Sequence, residues 1–393
     1  MTLSRNDLGW SEYFEAQLDE LDDALIPARI IGQHRREWDL GGLDGVERAV
    51  LAGRRWDPEK EAAPDEAQPT VGDWVAVRLP QDHGTRSPTA APLQHAQAKP
   101  TGPPVIEHVF RRRTFLQRSS MARRGQRQTI VANVDTVFIV AAFAREDSHE
   151  SVAKRSIHPR RLERYVTAVR NGGAQPVIVL NKSDLAPDCE KTAAALRERL
   201  KNIKVLTVSA TSHHAMDELV ATVRPQSTIG LVGLSGVGKS TIVNALLGSD
   251  VQKTSATRES DARGRHTTTH RELFSTPSGL LLIDTPGMRE FALADVTPED
   301  LLAFEDIAEQ AQHCKFRNCR HQNEPGCAVQ AAVLQGLFSE DRVENYRHLL
   351  DELEKKAKAE PRKRTQGAAK KSWNRKNRSA RAHQRGGGDE EDW

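Results

Sequence analysis

The pattern of apolar and polar positions changes near residue 128. Before that point, short apolar runs predict strands at Ile26 to Ile31, Ala49 to Ala52, Val71 to Leu79 and Val105 to Val109. Turn residues such as Gly41-Gly42 lie between these runs. Short strands joined in this way are typical of a small antiparallel barrel.

After residue 128, apolar strands alternate with helical stretches. The predicted strands are Thr136 to Ala142, Pro176 to Leu180, Lys204 to Ser209, Ile229 to Val232 and Leu280 to Asp284. The predicted helices among them include Arg160 to Arg170 and Cys189 to Leu200. This order implies an α/β fold with a largely parallel sheet that helices cover on both faces. From Leu301 onward the pattern is helical, and Asp341 to Lys358 reads as a charged helix.

Segments without apolar periodicity read as loops or tails. Residues 57–70 and 80–104 are rich in Pro, Ala, Gln and Asp and predict mobile loops. The stretch from Lys355 to Arg385 carries thirteen Lys and Arg residues against one acid, Glu360. The end of the chain, Pro361 to Trp393, is basic and Gly-rich and predicts a tail that orders only on binding. A further basic stretch from Arg111 to Arg127 faces either an anionic partner or solvent.

The composition is that of a soluble protein. The 393 residues are 37% hydrophobic and 28% charged, and no run approaches the roughly 18 apolar residues of a membrane span. The first twenty residues are polar and acidic, unlike a signal peptide. We therefore expect a cytoplasmic protein of two or three domains with no membrane partner.

A predicted strand, a glycine-rich turn and a predicted helix follow one another between Ile229 and Leu247, as in a phosphate-binding P-loop. Bare backbone N–H groups can wrap phosphates only where side chains are absent, while Lys239 would reach the outer phosphates and Ser240 would ligate Mg²⁺. The residues predicted to bind nucleotide here are Gly233, Ser235, Gly236, Val237, Gly238, Lys239, Ser240 and Thr241.

A second motif, Asn181-Lys182-Ser-Asp184, directly follows a predicted strand and would lie where open α/β sheets bind ligands. The Asp184 carboxylate can accept from the N1–H and the exocyclic amine of guanine, and the Lys182 stem can pack over the base. The next strand ends in Ser209-Ala210, where a backbone amide could meet the guanine O6. Together with the P-loop, these residues favour a guanine nucleotide over an adenine nucleotide.

The other half of the phosphate site is predicted near Asp284, at the end of a buried strand. Asp284 can hold a water on Mg²⁺, and the Gly287 N–H can bind the γ-phosphate and sense its loss. A polar segment beginning at Gly264 contains three adjacent threonines, of which Thr268 or Thr269 would complete the Mg²⁺ shell. We predict Ser240 and Thr269 as the Mg²⁺ ligands and keep Thr268 as the alternative.

Three of the four cysteines lie in one short segment with a histidine. Cys314, Cys319, His321 and Cys327 offer three thiolates and one imidazole, a set that suits one tetrahedral Zn²⁺. A shell of four protein ligands has no open position, which predicts a structural site. Cys189 lies apart and is predicted to be a small packing residue.

The order of the motifs resembles that of the circularly permuted GTPases, because the guanine motif precedes the P-loop. Since the cysteine segment follows, the resemblance narrows to the ribosome small-subunit biogenesis GTPases of the RsgA (YjeQ) type, from about Ile26 to about Leu350. It implies an N-terminal tail (1–25), an OB-fold barrel with Pro/Ala-rich loops (26–115), a circularly permuted GTPase domain (116–297), a helical zinc-binding domain (298–355) and a basic disordered tail (356–393). The two Pro/Ala-rich loops and the tail depart from the family pattern.

The resemblance also implies GTP, GDP, Mg²⁺ and one Zn²⁺ as ligands, and the small ribosomal subunit and its rRNA as partners of a monomer. Many GTPases orient the attacking water with a glutamine where this chain has Met288. Methionine cannot do so, and His266 is the candidate catalytic residue, with RNA or solvent contact as its alternative role.

Two other functions are compatible with the motifs. A GTP-dependent RNA-binding assembly factor with little hydrolysis would account for Met288. A P-loop kinase or ATPase would leave the motif from Asn181 to Asp184 without a role. The favoured interpretation is a GTPase in late subunit maturation whose turnover the subunit stimulates.

Overall fold

Five strands from the first third of the chain close into a barrel in the computed structural model. They are β1 (Ile26–His34), β2 (Glu37–Leu43), β3 (Gly45–Leu51), β4 (Trp74–Arg78) and β5 (Val105–Val109). The order around the ring is β1-β2-β3-β5-β4, and β4 pairs back onto β1. Neighbours are antiparallel except β3 and β5, which run parallel. The predicted small barrel is present with the strand order of an OB fold, and one of its pairs is parallel.

The structure describes residues 3–34, 36–43, 45–52, 68–80, 102–119, 127–144, 156–248, 271–284 and 301–355. Most of the loops predicted at 57–70 and 80–104, and all of 356–393, lie outside these ranges. None of the helices within them combines the length and hydropathy needed to span a bilayer. The chain divides into two units, Met1–Ala294 and Asp295–Trp393.

Strand β2 is absent from the pattern-based prediction because Gly41 and Gly42 read as a turn. Both glycines lie inside the strand, where the pairing with β3 shifts register between Leu40 and Leu43. Gly42 has a φ of 89°, which a residue with a side chain rarely adopts. The glycines therefore form a bulge within the barrel wall and do not end a strand.

Residues 3–25, predicted as a tail, are packed onto the barrel. Helix α1 (Glu12–Leu18) brings the ring of Phe14 to 5.9 Å from that of Trp74 and 6.3 Å from that of Phe110. Leu8 is buried, and its carbonyl accepts a hydrogen bond from the buried guanidinium of Arg29. The apolar pattern predicts a tail because the partners that bury this segment come much later in the sequence.

Part of the basic stretch from Arg111 to Arg127 forms a hairpin of β6 (Phe115–Ser119) and β7 (Arg127–Ala132). Arg112 donates two hydrogen bonds of 2.8 Å to the buried carboxylate of Asp73. Arg113 donates to Asp135 at 2.6 Å. Arg112 is therefore held in a buried ion pair of the fold, and the expectation that it faces a partner or solvent is wrong for it, whereas Arg113 is exposed as well as paired.

Six more strands continue the sheet. They are β8 (Thr136–Ala142), β9 (Gln175–Asn181), β10 (Lys204–Thr207), β11 (Thr228–Val232), β12 (Arg271–Ser275) and β13 (Leu281–Asp284). In the order β10-β9-β8-β11-β13-β12, the first five are parallel and β12 is antiparallel to β13. The predicted parallel strands are thus confirmed. The sequence does not predict β12, since only its Leu273 is buried.

Among the residues that the structure describes, four α-helices accompany this part of the sheet. They are α2 (Pro159–Asn171), α3 (Cys189–Arg199), α4 (Met216–Ala221) and α5 (Lys239–Leu247). Alternate residues of β8, among them Phe138 and Val140, share one core with Leu219 of α4 and Ile242 of α5. This core holds the carboxyl ends of β9 and β11 and the start of α5, from which the predicted nucleotide residues project.

Strand β1 belongs to the barrel and also pairs with β12. Gly32 pairs with Glu272 and Gln33 pairs with Arg271 in an antiparallel register. The barrel and the parallel sheet are therefore joined as one eleven-stranded sheet.

The second unit contains α6 (Glu305–Ala311), α7 (Ala328–Leu334) and α8, which covers 340–355. Its buried residues include Phe304, Ile307, Val329, Val343 and Leu349. The helical pattern expected from Leu301 onward is present, and turns occupy the segment between α6 and α7.

Candidate nucleotide site and cysteine cluster

The P-loop residues form a tight turn between β11 and α5. Gly233 has a φ of 145°, and a Cβ atom there would lie 2.2 Å from the carbonyl oxygen of Val140. Only glycine fits this position, because neither the backbone conformation nor the space admits a side chain. The Lys239 ammonium curls back and donates to the carbonyls of Gly233 at 2.9 Å and Leu234 at 2.7 Å. Its charge is thus held beside the backbone of the loop.

Asn181 joins the guanine motif to the P-loop. Its side-chain Nδ2 donates to the carbonyl of Val237 at 3.0 Å, and its Oδ1 accepts from the amide of Ala210 at 3.1 Å. The side chain is buried. A Cβ atom on Gly238 would lie only 2.3 Å from Asn181 Nδ2, so the glycine is needed for this contact. One side chain therefore connects three loops that are up to 56 residues apart.

A hydrogen bond within the protein also holds the side chain of Asp184 in place. The hydroxyl of Ser209 donates to its Oδ1 at 2.5 Å. Lys182 has a φ of 62°, a left-handed conformation that turns the chain into the short helix Ser183–Leu185. Because the Ala210 amide donates to Asn181, the predicted contact of that amide with guanine O6 stays a prediction.

The remaining nucleotide residues fall into two groups. Ser235, Gly236, Ser240 and Thr241 lie in the P-loop or at the start of α5, and Asp284 is the last residue of β13. His266, Thr268, Thr269, Gly287 and Met288 lie outside the described residues. The phosphate and guanine motifs are thus brought to the same edge of the sheet, since β9, β11 and β13 are parallel and each motif follows the carboxyl end of its strand.

The four predicted metal ligands converge in the second unit. Their donor atoms all lie within 4.8 Å of one another. The Sγ atoms of Cys314 and Cys327 are each 3.6 Å from His321 Nδ1 and are 3.9 Å from each other. A tetrahedral Zn²⁺ with ordinary bond lengths sets sulfurs about 3.8 Å apart and a sulfur about 3.6 Å from a nitrogen. The residues present therefore fit zinc.

The protonation of the cluster reflects its crowding. Burial, with a contribution from Cys327 and Cys314, raises the pKa of the Cys319 thiol to about 12. Burial lowers the pKa of His321, which keeps the imidazole neutral and able to ligate. A metal cation would reverse the effect on the thiols, because it stabilises thiolates directly.

The motifs do not predict two groups that support these sites. The first is the carbonyl of Val237, which accepts from Asn181 and has no side-chain signature. The second is Glu324, whose carboxylate accepts from the amides of Arg320 and Gln322 at 2.8 Å each. These hydrogen bonds lower the pKa of Glu324 to about 2. Glu324 is an acidic residue between two predicted ligands, His321 and Cys327, and this position is a sequence signal that could identify it.

Comparison with known proteins agrees with this geometry. A family model described as RsgA GTPase matches residues 109–294, and one described as 50S ribosome-binding GTPase matches residues 228–365. The Small ribosomal subunit biogenesis GTPase RsgA of Methanosarcina acetivorans is 38% identical over 88% of this chain and 84% of its own length. The protein of that name from Xanthomonas axonopodis pv. citri is 38% identical over 82% of this chain and 80% of its own.

The chain belongs to the RsgA GTPase family.

Solved structures support the fold of this RsgA-family chain. YjeQ from Thermotoga maritima aligns with a TM-score of 0.58 and 23% identity, over 84% of this chain and 98% of that one. YloQ, described as a circularly permuted GTPase, aligns with a TM-score of 0.55, over 85% of this chain and 96% of that one. The predicted fold class, a circularly permuted GTPase domain with an OB-type barrel, is therefore confirmed, and the Cys/His cluster is one that could bind zinc.

Proposed function

We propose that this chain is a GTPase that binds the small ribosomal subunit and its rRNA and acts in late subunit maturation. It hydrolyses GTP to GDP and phosphate, and the subunit stimulates its turnover. The observation that carries the proposal is the Asn181 bridge, which ties a guanine motif to a P-loop in a chain of the RsgA family. A kinase or ATPase would leave the motif from Asn181 to Asp184 without a role. The name shared by its relatives supports the subunit as partner.

The proposed nucleotide contacts follow from the positions of the groups. Asp184 accepts from the guanine edge, the P-loop amides and Lys239 bind the phosphates, and Gly287 contacts the γ-phosphate. Ser240 and Thr269, with Thr268 as the alternative, hold Mg²⁺, and Asp284 holds one of its waters. The ion would neutralise charge on the β- and γ-phosphates.

We assign the orientation of the attacking water to His266, because Met288 cannot hydrogen-bond it. His266→Ala should lower subunit-stimulated turnover by about 100-fold, within the range that general acid–base groups contribute. GTP affinity should stay within about twofold. His348→Ala is the matched control, since His348 is exposed in the second unit. Full stimulated turnover of His266→Ala would exclude this role.

Zinc at Cys314, Cys319, His321 and Cys327 would stabilise a surface suited to RNA. The turn between these ligands exposes Lys315, Arg317 and Arg320, and the ring of Phe316 is 41% exposed beside them. Basic groups neutralise phosphates, and an exposed ring can stack on an unpaired base. The basic residues of 356–393, with Trp373, would add to this contact. Affinity for rRNA should then fall steeply as salt rises, and a salt-independent affinity would contradict the assignment.

The deciding experiment measures GTP turnover with purified small subunits, with large subunits and with neither. Stimulation by small subunits alone supports the proposal. GTP-dependent subunit binding without stimulation supports the alternative of an assembly factor with little hydrolysis, which Met288 favours. Equal competition by ATP and GTP would exclude both. A cytoplasmic monomer with the five-part organisation given above completes the proposal, and its boundaries stay predictions.

A further inference from the structure

The barrel reaches the predicted phosphate side of the GTPase sheet through a single strand. Gly32 of β1 pairs with Glu272 of β12, and Glu272 pairs on its other side with Asp284 of β13. Because neighbouring strands lie about 4.8 Å apart, the barrel backbone is about 10 Å from the residue predicted to hold a Mg²⁺-bound water. Only β12 separates the two.

The side chain of Arg271 attaches this strand to the barrel. Its guanidinium donates to Gln33 Oε1 and to Thr70 Oγ1, each at 3.3 Å. Gln33 is also the residue that Arg271 faces in the strand register. Backbone pairing and side-chain hydrogen bonds therefore join the same two strands at the same place.

The barrel end of this attachment is rigid. The Thr70 hydroxyl donates to the carbonyl of Ile130 at 3.1 Å, and the Thr70 amide donates to the buried carboxylate of Asp73 at 2.8 Å. Asp73 in turn carries the two hydrogen bonds from Arg112. Thr70 is therefore held by neighbouring residues, so the hydrogen bond from Arg271 does not end on a loosely held group.

We propose that Arg271 is a positioning residue that couples the barrel to Asp284. In this proposal the subunit also contacts the barrel, the resulting shift of β1 moves β12, and β12 sets the position of Asp284 for hydrolysis. This inference rests on the proposed function, since it supplies the path by which the subunit would stimulate turnover. Coupling of this kind is reciprocal, so the bound nucleotide must equally change the affinity for the subunit.

The test compares Arg271→Ala, Arg271→Lys and Ser275→Ala in the full chain. Ser275 is exposed at the opposite end of β12 and serves as the matched control. Two quantities are measured. The first is the Kd for the subunit in the presence of GDP divided by the Kd for the subunit in the presence of a non-hydrolysable GTP analogue. The second is the kcat of GTP hydrolysis with subunits present. Arg271→Ala should lower both by about tenfold, with the Kd for GTP within twofold of wild type. Arg271→Lys should recover part of each, because its ammonium can reach one of the two acceptors.

A second comparison separates coupling from damage to the fold. Gln33→Ala and the double variant Gln33→Ala/Arg271→Ala complete a double-mutant cycle, in which a shared path predicts that the double variant is no worse than Arg271→Ala. The melting temperature and the Kd for GTP identify any variant that has lost its fold. If Arg271→Ala keeps the wild-type Kd ratio and stimulated kcat, the inference is wrong. If wild type itself shows no stimulation, the proposed function fails instead.

Discussion

The residues of the nucleotide site and those of the Cys/His cluster are distributed along the chain in opposite ways. The nucleotide residues come from the ends of separate strands between Asn181 and Asp284, and hydrogen bonds through Asn181 and Ser209 hold them together. The predicted metal ligands come from one short segment, Cys314 to Cys327, whose backbone forms turns. Protein packing therefore preorganises the first site, whereas we expect the second to need a bound ion to overcome the crowding of three thiols. The two sites should respond very differently to substitution.

Removing a zinc ligand should give the largest effect. Cys327→Ser, or a strong chelator, should abolish the cooperative unfolding transition of the second unit, because metal binding energy in such small domains is folding energy. GTP affinity should stay within about twofold, since the nucleotide site is held by protein contacts. Calorimetry, metal content and GTP titration measure these quantities. Cys189→Ser is the control, and full zinc content in Cys327→Ser would contradict the assigned ligands.

A methyl group in the P-loop should give the next largest effect. Gly233→Ala places a Cβ atom against the Val140 carbonyl, so we expect GTP affinity to fall by roughly 100-fold, about 2.7 kcal/mol. Gly279→Ala also places a side chain at a positive φ, 78° against 145° at Gly233, but has no atom within 4 Å of its Cβ. The GTP affinity of Gly279→Ala should be that of wild type. Equal losses in both variants would show that backbone strain, and not the clash, decides the result.

Asn181→Ala tests the bridge itself. It removes two buried hydrogen bonds and leaves the Val237 carbonyl and the Ala210 amide unpaired. The expected loss of GTP affinity is about 10-fold to 100-fold, from the usual cost of unpaired buried polar groups. The preference for GTP over ATP should fall as well, which competition binding measures. Asn202→Ala, on an exposed turn, should change neither quantity.

The smallest effect is expected at Ser209. Ser209→Ala removes the hydroxyl that orients Asp184 but leaves the carboxylate able to reach the base. GTP affinity should fall about threefold to tenfold, as for one hydrogen bond to a charged group. Ser212→Ala on the same loop, which is exposed, is the control. An unchanged affinity in Ser209→Ala would mean that Asp184 needs no support from this side chain.

The sequence predicts the parts that form contiguous patterns. Apolar runs identify β8, β9, β11 and β13, and motif spacing brings the four metal ligands together. It does not predict β2, whose glycines form a bulge, or β12, which buries one side chain. It also misses the burial of Phe14, because two of the rings that cover it, Trp74 and Phe110, are distant in the sequence. Apolar periodicity reports burial along a segment and cannot report which partner supplies it.

The same limit applies to the candidate site. The residue types at Asn181 and Asp184, with a strand that ends at Ser209-Ala210, predict guanine recognition from the sequence alone. The acceptor that Asn181 uses is a backbone carbonyl 56 residues away, and carbonyls carry no sequence signal. Likewise, Arg112 reads as surface charge until its partner Asp73 is found 39 residues earlier, inside the fold.

The pairing of β1 with β12 also protects the sheet from other chains. Without the barrel, β12 would be the outer strand of the GTPase sheet and would present unpaired N–H and C=O groups. Such an edge is a template for aggregation. A truncated chain that begins after the barrel should therefore be poorly soluble, whatever its ability to bind nucleotide. In the full chain the barrel covers this edge for the domain that follows it.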